Sequence, residues 1–177
     1  MTSINQQQPE DNRADLRGDE ALAKMRELVD QGATCFFCTA ITSGQPVPTR
    51  PMSVQQVDDQ GRLWFLSASD SHQNSEIVHD AAVQLLFQGS HSDFLTLYGR
   101  ATVSTDRAKI KELWRPILKT WFTEGPDDPR ITVLSVEPSN GYYWDTKHNR
   151  AVVLAKMIAG AITGKTFDDS IEGTIRV

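Results

Sequence analysis

The chain has 177 residues, 39% of them apolar and 23% charged, with a net charge of −5. That length suits one domain with its own core and is short for two, and the mild acidity argues against nucleic acid, whose phosphates call for a basic face. No apolar run approaches the roughly 18 residues needed to cross a bilayer, and the polar start MTSINQQQPEDNRAD lacks the apolar centre of a secretory signal, so a cytoplasmic location without membrane contact is expected.

Residues 1–18, rich in Gln, Asn, Asp and Arg, read as a mobile polar tail, leaving 19–177 as the folded domain. Asp19 is placed to cap the helix EALAKMRELVDQ, where Leu22, Met25, Leu28 and Val29 form one apolar stripe and Gly32 is a stop. The strand ATCFFCTAI follows, with Cys35 and Cys38 in a C-x-x-C spacing. On a strand, positions i and i+3 project to opposite faces, so these thiols cannot share a metal and read as two small core residues.

Next comes PVPTRPMSV, residues 46–54, strand-like but holding Pro46, Pro48 and Pro51 around Arg50. Proline cannot donate to a ladder, so this segment belongs at an edge, at a bulge, or where something other than a strand lies alongside. The turn DDQG leads to the strand RLWFLS, a short helix SHQNSEIVHD capped by Ser71, and the strands AAVQLLFQ and DFLTLYGRATV. DRAKIKELWRPILKTWF predicts a longer amphipathic helix, with Ile110, Leu113, Trp114, Ile117, Leu118 and Trp121 at helical spacing and Pro116 as a kink. ITVLSVEP and GYYWD read as two further strands, and AVVLAKMIAGAITG suits either a buried helix or a strand. Short strands at hairpin spacing with a few helices predict an α+β fold built on an antiparallel barrel or sandwich.

Familiar catalytic patterns are absent. GAITGKT is one residue short of a P-loop between its glycines, and no G-x-G-x-x-G, H-E-x-x-H or G-x-S-x-G occurs. His72, His79, His91 and His148 are scattered, so no metal site is expected. The remaining constellation is Arg50, Ser67 and Ser71. If the strands bearing Arg50 and Ser67 are antiparallel neighbours, an arginine, two hydroxyls and a helix N-terminus form an anion site suited to a phosphate monoester. The alternative is structural: Ser71 only caps its helix, and Arg50 pairs with a surface carboxylate such as Asp70.

From about Ala21 onward the ordered set TRPM, LWFLS, DSHQNSEI, YGRATV, KELW, KTWFTEGPDDPRITVLSVEP, YYWD and LAKMIAGAITGK resembles the general stress protein 26 group of the pyridoxamine 5′-phosphate oxidase-like flavoproteins. The resemblance implies a six-stranded antiparallel split β-barrel with flanking helices, and a homodimer holding FMN, or FAD, in the clefts between subunits. It implies that Arg50, Pro51 and Met52 lie along the flavin, with Arg50 on its phosphate. Phe65 and Leu66 would lie against the ring and Ser67 on the ribityl chain or phosphate. Ser71, His72 and Gln73 fall at the phosphate clamp, and Trp144 would approach the ring from the other subunit. Trp114 is a further candidate for the cleft, with core packing as its other role.

Relatives commonly carry lysine where this chain has Gln73 and a basic residue at His72. The exchange predicts weaker FMN binding that declines further as His72 deprotonates. The implied activity is flavin-dependent oxidoreduction, with NADH or NADPH as reductant. No side chain stands out as a general acid or base, and vitamin B6 oxidation finds no counterpart for its substrate grip beyond His148 and Arg150. A flavin store or sensor without turnover, or the same barrel holding a deazaflavin or haem, are the alternatives.

Overall fold

The computed structural model describes residues 12–89, 93–146 and 170–177. In chain order these form β1 (Leu16–Arg17), α1 (Gly18–Gln31), β2 (Thr34–Cys38), β3 (Thr49–Ser53), β4 (Gln56–Val57), β5 (Leu63–Ala68), α2 (His72–His79), β6 (Ala82–Gln88), β7 (Phe94–Ser104), α3 (Arg107–Leu113), β8 (Ile131–Thr146) and β9 (Ser170–Arg176). The α+β class is as expected. The strand count is not: among the described residues there are nine strands in one sheet, ordered β1-β9-β8-β7-β6-β2-β3, with β5 on β8 and β4 on β5. The ladders do not close into a six-stranded barrel, because β3 pairs only with β2 while its continuation β4 pairs with β5.

β8 organises the sheet. One edge pairs with β7 along most of its length, and the other is shared, with β5 opposite residues 131–136 and β9 opposite 140–146. The sequence suggests two strands here because Pro138, Asn140 and Gly141 carry turn signals. Instead the chain continues as one strand, and the irregularity is absorbed by a bulge on β8, where the register steps from Gly99 opposite Pro138 to Tyr98 opposite Asn140 and leaves Ser139 as the extra residue. Gly99 suits that approach, since a Cβ there would lie 2.3 Å from the Glu137 carbonyl oxygen.

Residues 12–17, expected in the mobile tail, are held along β9. β1 pairs parallel with Ile175 and Arg176, and the Tyr143 hydroxyl donates to the Ala14 carbonyl at 2.9 Å. A Cβ on Gly173 would lie 1.8 Å from that carbonyl oxygen, so glycine permits the close passage. Residues 1–11 lie outside the described residues, as do His91, His148, Arg150 and the segments AVVLAKMIAGAITG and GAITGKT.

α1 buries Ala21, Met25, Leu28 and Val29 and ends at Gly32. Its N-cap is Arg17, with no side-chain bond; Asp19 sits inside the first turn, where its charge still suits the helix dipole. The long predicted helix is cut. α3 stops at Leu113, Trp114 and Arg115 are extended, and a 3-10 turn covers Pro116–Thr120. Proline disfavours helical backbone in the residue before it, so Pro116 ends the helix where a kink was predicted.

Two apolar clusters result. Phe37, Phe65, Leu85, Leu97 and Leu134 pack with Met25 under α1. On the other face of β5 and β8, Leu66 joins Ile110, Leu113, Leu118, Phe122 and Ile131, with Trp114 partly buried against them. Cys35 and Cys38 are free and buried. Among the described residues no helix is long and apolar enough to cross a membrane.

Candidate functional site

Among the described residues the proline-bearing strand lies at a sheet edge, because β3 has β2 on one side only. Its hydrogen bonds fix which way each residue faces. Thr39 N–H donates to the Pro48 carbonyl at 3.1 Å and Val54 N–H to the Ala33 carbonyl at 2.8 Å. With Phe36 opposite Pro51, this alternation turns the Pro51 nitrogen toward the free edge, so its missing N–H costs the β2 ladder nothing. Side chains alternate too. Arg50 and Met52 share the face of Phe37 and Cys35, while Pro51 shares that of Phe36.

On the Arg50 side stands α2. Ser71 caps it, its hydroxyl accepting from Asn74 N–H at 3.3 Å and lying 3.1 Å from the Ser67 hydroxyl. The Asn74 amide donates to the Ala68 carbonyl at 3.1 Å and to Thr132 Oγ1 at 2.8 Å; Thr132 in turn donates to the Ser67 carbonyl at 3.0 Å. These bonds lock the helix N-terminus onto β5 and β8. His72 is exposed, whereas Gln73 is only 2% exposed and its Nε2 has no hydrogen-bond partner. A buried amide donor without a partner carries a desolvation cost that a ligand acceptor would offset.

Arg50 and Ser67 are not brought together by neighbouring strands, because β3 and β5 share no ladder. α2 joins the two places, with Ser71 beside Ser67 at its start and Glu76 on Arg50 in its second half. Arg50 Nη1 and Nη2 donate to the two Glu76 oxygens at 2.8 and 3.2 Å, and Nη1 also donates to Thr39 Oγ1 at 3.0 Å. The carboxylate partner is therefore Glu76 and not Asp70. Arg50's hydrogen bonds hold the Glu76 carboxyl below its ordinary value, against the opposing effect of burial and with help from Thr39.

A second carboxyl behaves alike. The Thr174 N–H, followed by Arg13, brings Asp15 down to about 2. A carboxyl depressed in the folded state contributes stability above its unfolded value, 4.5 for Glu76 and 3.8 for Asp15, and loses it as pH falls through the folded value. The melting temperature should therefore be flat above about pH 5 and fall below it toward pH 2. A melting temperature that holds or rises on acidification would contradict both pairings.

The opposite face of the sheet is apolar and open among the described residues. Pro51, Phe36, Leu86, Thr96 and Tyr142 are successive cross-strand partners from β3 to β8. Phe94 and Trp144 form the adjacent pair, and the Trp144 ring lies 4.6 Å from Tyr142. Phe36 is 56% exposed and Phe94 41%. One groove of 240 Å³ lies between Phe36, Pro51 and Leu86, and one of 650 Å³ between Leu86, Phe94, Thr96 and Trp144. The larger falls within the range of about 300–1,000 Å³ usual for small-molecule pockets.

The predicted residues thus divide. Ser67, Ser71, His72 and Gln73 gather at the start of α2, with Arg50 tied to it through Glu76; Pro51 and Trp144 line the apolar grooves. Met52 is half-buried against the core. Phe65 and Leu66 do not face a cleft: Phe65 is fully buried, edge-to-face on Phe37 at 5.3 Å, and Leu66 packs toward α3. Sequence reasoning missed Thr39, Glu76, Asn74 and Thr132, whose roles arise only when α2 docks across β2, β3, β5 and β8.

Residues 20–168 match the model of the pyridoxamine 5′-phosphate oxidase like family. The chain belongs to this family. Within the curated proteins it is 29% identical over 112 residues to protein bli-3 of Neurospora crassa, and 23% identical over 82 residues to general stress protein 26 of Bacillus subtilis. Those matches cover 58% and 44% of this chain and 54% and 58% of the relatives, so the chain spans little more than half the length of the curated relatives it matches. Among solved structures, a protein from Jannaschia sp. CCS1 assigned to general stress protein 26 superposes with a TM-score of 0.71 at 23% identity, covering 88% of this chain and 99% of that one. The general stress FMN/FAD binding protein of Xanthomonas citri superposes with a TM-score of 0.59 at 21% identity, covering 70% and 87%. These structures share the fold described above.

Proposed function

We propose that this oxidase-like chain binds FMN, or FAD, as a homodimer with a flavin in each cleft between subunits, and acts as a flavin-dependent oxidoreductase with NADH or NADPH as reductant. The buried Gln73 amide without a partner, in the first turn of the helix whose Ser71 cap meets the Ser67 hydroxyl of β5, is the observation that carries this reading. These groups fit a phosphate ester: donors with spare capacity lie at a helix N-terminus, where the dipole favours an anion. Ser67, Ser71, His72, Gln73 and Arg50 would hold the phosphate. Pro51 and Met52 would lie along the ribityl chain and ring, with Phe65 and Leu66 contributing through their backbone. Trp144 would close the apolar groove across the dimer. Bound flavin would supply hydride acceptance and release at N5.

The protein's part is position and exclusion of water. Among the described residues the apolar face stands open, and a second copy covering it would both bury Phe36 and Phe94 and wall the ring. The same reading takes 19–177 as one domain in the cytoplasm. A store or sensor without turnover draws support from the groove lining. Among the described residues its one acidic side chain is Asp145, which is held by Lys24, while the buried Cys35 thiol faces the core on the other side of β2.

The test is to purify the protein without added cofactor, denature it, and identify any released chromophore by absorbance and mass. FMN or FAD is expected. Protein that is empty and refuses both added flavins would refute the flavin reading. Bleaching of bound flavin by NADH or NADPH without oxygen would then separate an oxidoreductase from a store.

A further inference from the structure

The Arg50 guanidinium is used on one edge only. Its end-on edge, Nη1 and Nη2, meets the two oxygens of Glu76, and Nη1 also donates to Thr39. The Thr39 hydroxyl donates in turn to the same Glu76 oxygen. A guanidinium carries five donors in a fixed fork. Three bonds leave two donors, Nε–H and the second Nη2 hydrogen, which together make up the side edge. Neither has a partner among the described residues, and 28% of the side chain is open to solvent.

Glu76 is itself held fast. It projects from α2, which is pinned by the Ser71 cap and by Asn74 on Ala68 and Thr132. Thr39 follows β2 directly, and Arg50 lies opposite Phe37 in the β2–β3 ladder. Guanidinium, carboxylate and hydroxyl are thus fixed by three separate elements. An arginine oriented this way has already lost the rotamer freedom that a bidentate contact to an anion would otherwise remove.

We propose that Glu76, with Thr39, is a positioning residue for anion recognition: it holds the end-on edge of Arg50 so that Nε–H and Nη2 face the phosphate monoester of the ligand. Glu76 does not touch the ligand. A carboxylate competing for the arginine would act in the opposite sense, and its removal would tighten binding. The identity of the ligand rests on the flavin reading; the chemistry of the anion does not.

Two measurements separate these. In ¹⁵N-labelled protein the Arg50 Nε–H resonance, assigned by its loss in Arg50→Lys, is followed during titration with inorganic phosphate. Dissociation constants for FMN and riboflavin are then compared in wild type, Glu76→Ala, Glu76→Gln and Thr39→Val. The expected result is a saturable Nε–H shift in wild type. Glu76→Ala should weaken phosphate and FMN about tenfold, the scale of one charge-assisted contact, with riboflavin unchanged. Glu76→Gln keeps an oxygen for the arginine and should restore most of the loss. Thr39→Val should weaken FMN about threefold, and it carries the test if Glu76→Ala does not fold.

The proposal is overturned if Glu76→Ala binds FMN as well as or better than wild type, if FMN and riboflavin weaken alike, or if Glu76→Gln rescues nothing. FMN binding with an Nε–H that ignores phosphate would also overturn it while the flavin reading stands. A phosphate-responsive Nε–H in a protein that binds neither flavin would sink the flavin reading and keep Glu76 in its positioning role.

Discussion

Phe37→Ala should lower the unfolding free energy by about 3–5 kcal/mol, the usual cost of deleting a fully buried aromatic ring. Phe37 has no exposed surface, meets Phe65 edge-to-face at 5.3 Å, and lies in β2 between Arg50 of β3 and Leu85 of β6. The cavity would open where three strands and α1 converge, and the surrounding ladders limit its collapse. Urea denaturation measures it, as a lower midpoint at unchanged slope. The adjacent Phe36→Ala is the control. Phe36 points to the opposite face and is 56% exposed, so its removal should cost the subunit under about 1 kcal/mol and act instead on the proposed dimer. Equal losses at the two positions would contradict the facing assigned to β2.

Gln73→Lys should tighten FMN about tenfold while making the flavin-free protein less stable. Gln73 lies in the first turn of α2 with 2% exposure and an amide donor that has no partner. A lysine there would place a cation near the positive end of the helix dipole and strip it of water, both unfavourable without a counter-charge. A phosphate supplies that counter-charge. A charge-assisted bond is worth about 1.5–3 kcal/mol against about 1 for a neutral one, and tenfold in affinity is about 1.4 kcal/mol. The melting temperature should fall without ligand and rise more with FMN than it does in wild type, with riboflavin affinity unmoved. Parallel changes for FMN and riboflavin would place Gln73 away from the phosphate.

Much of the fold was legible where local signals and packing agree. The stripe of α1, the Ser71 cap and the proline-marked edge strand all follow from short-range chemistry. Two elements misled for opposite reasons. Pro116 was read as a kink in an amphipathic run, but its effect on Arg115 ends α3 outright. The Pro138–Gly141 stretch carries turn residues, yet β7 on one side and β9 beyond it hold the chain extended. The site was legible in its residue types and not in its pairings. Arg50, Ser67 and Ser71 suggested an anion site, but the partner of Arg50 lies 26 residues away on a helix face, which no spacing rule connects to a strand. The family resemblance set Phe65 and Leu66 against a bound ring, and burial on both faces of β5 sends their side chains into two different cores.

The unpaired edge of β3 has a consequence for how the protein survives at high concentration. An open strand edge is a template on which another chain can add, the first step toward edge-to-edge aggregation. On β3 the outward-facing donors are those of Thr49 and Ser53, and the one between them is deleted by Pro51. An incoming strand would lose a bond at the centre of a five-residue edge, with Pro48 just before it stiffening the approach. Small ligands that need only isolated contacts are not penalised. The prolines thus leave the edge accessible to a bound molecule while making it a poor seed for fibres, and Pro51→Val would restore the missing donor and the hazard together.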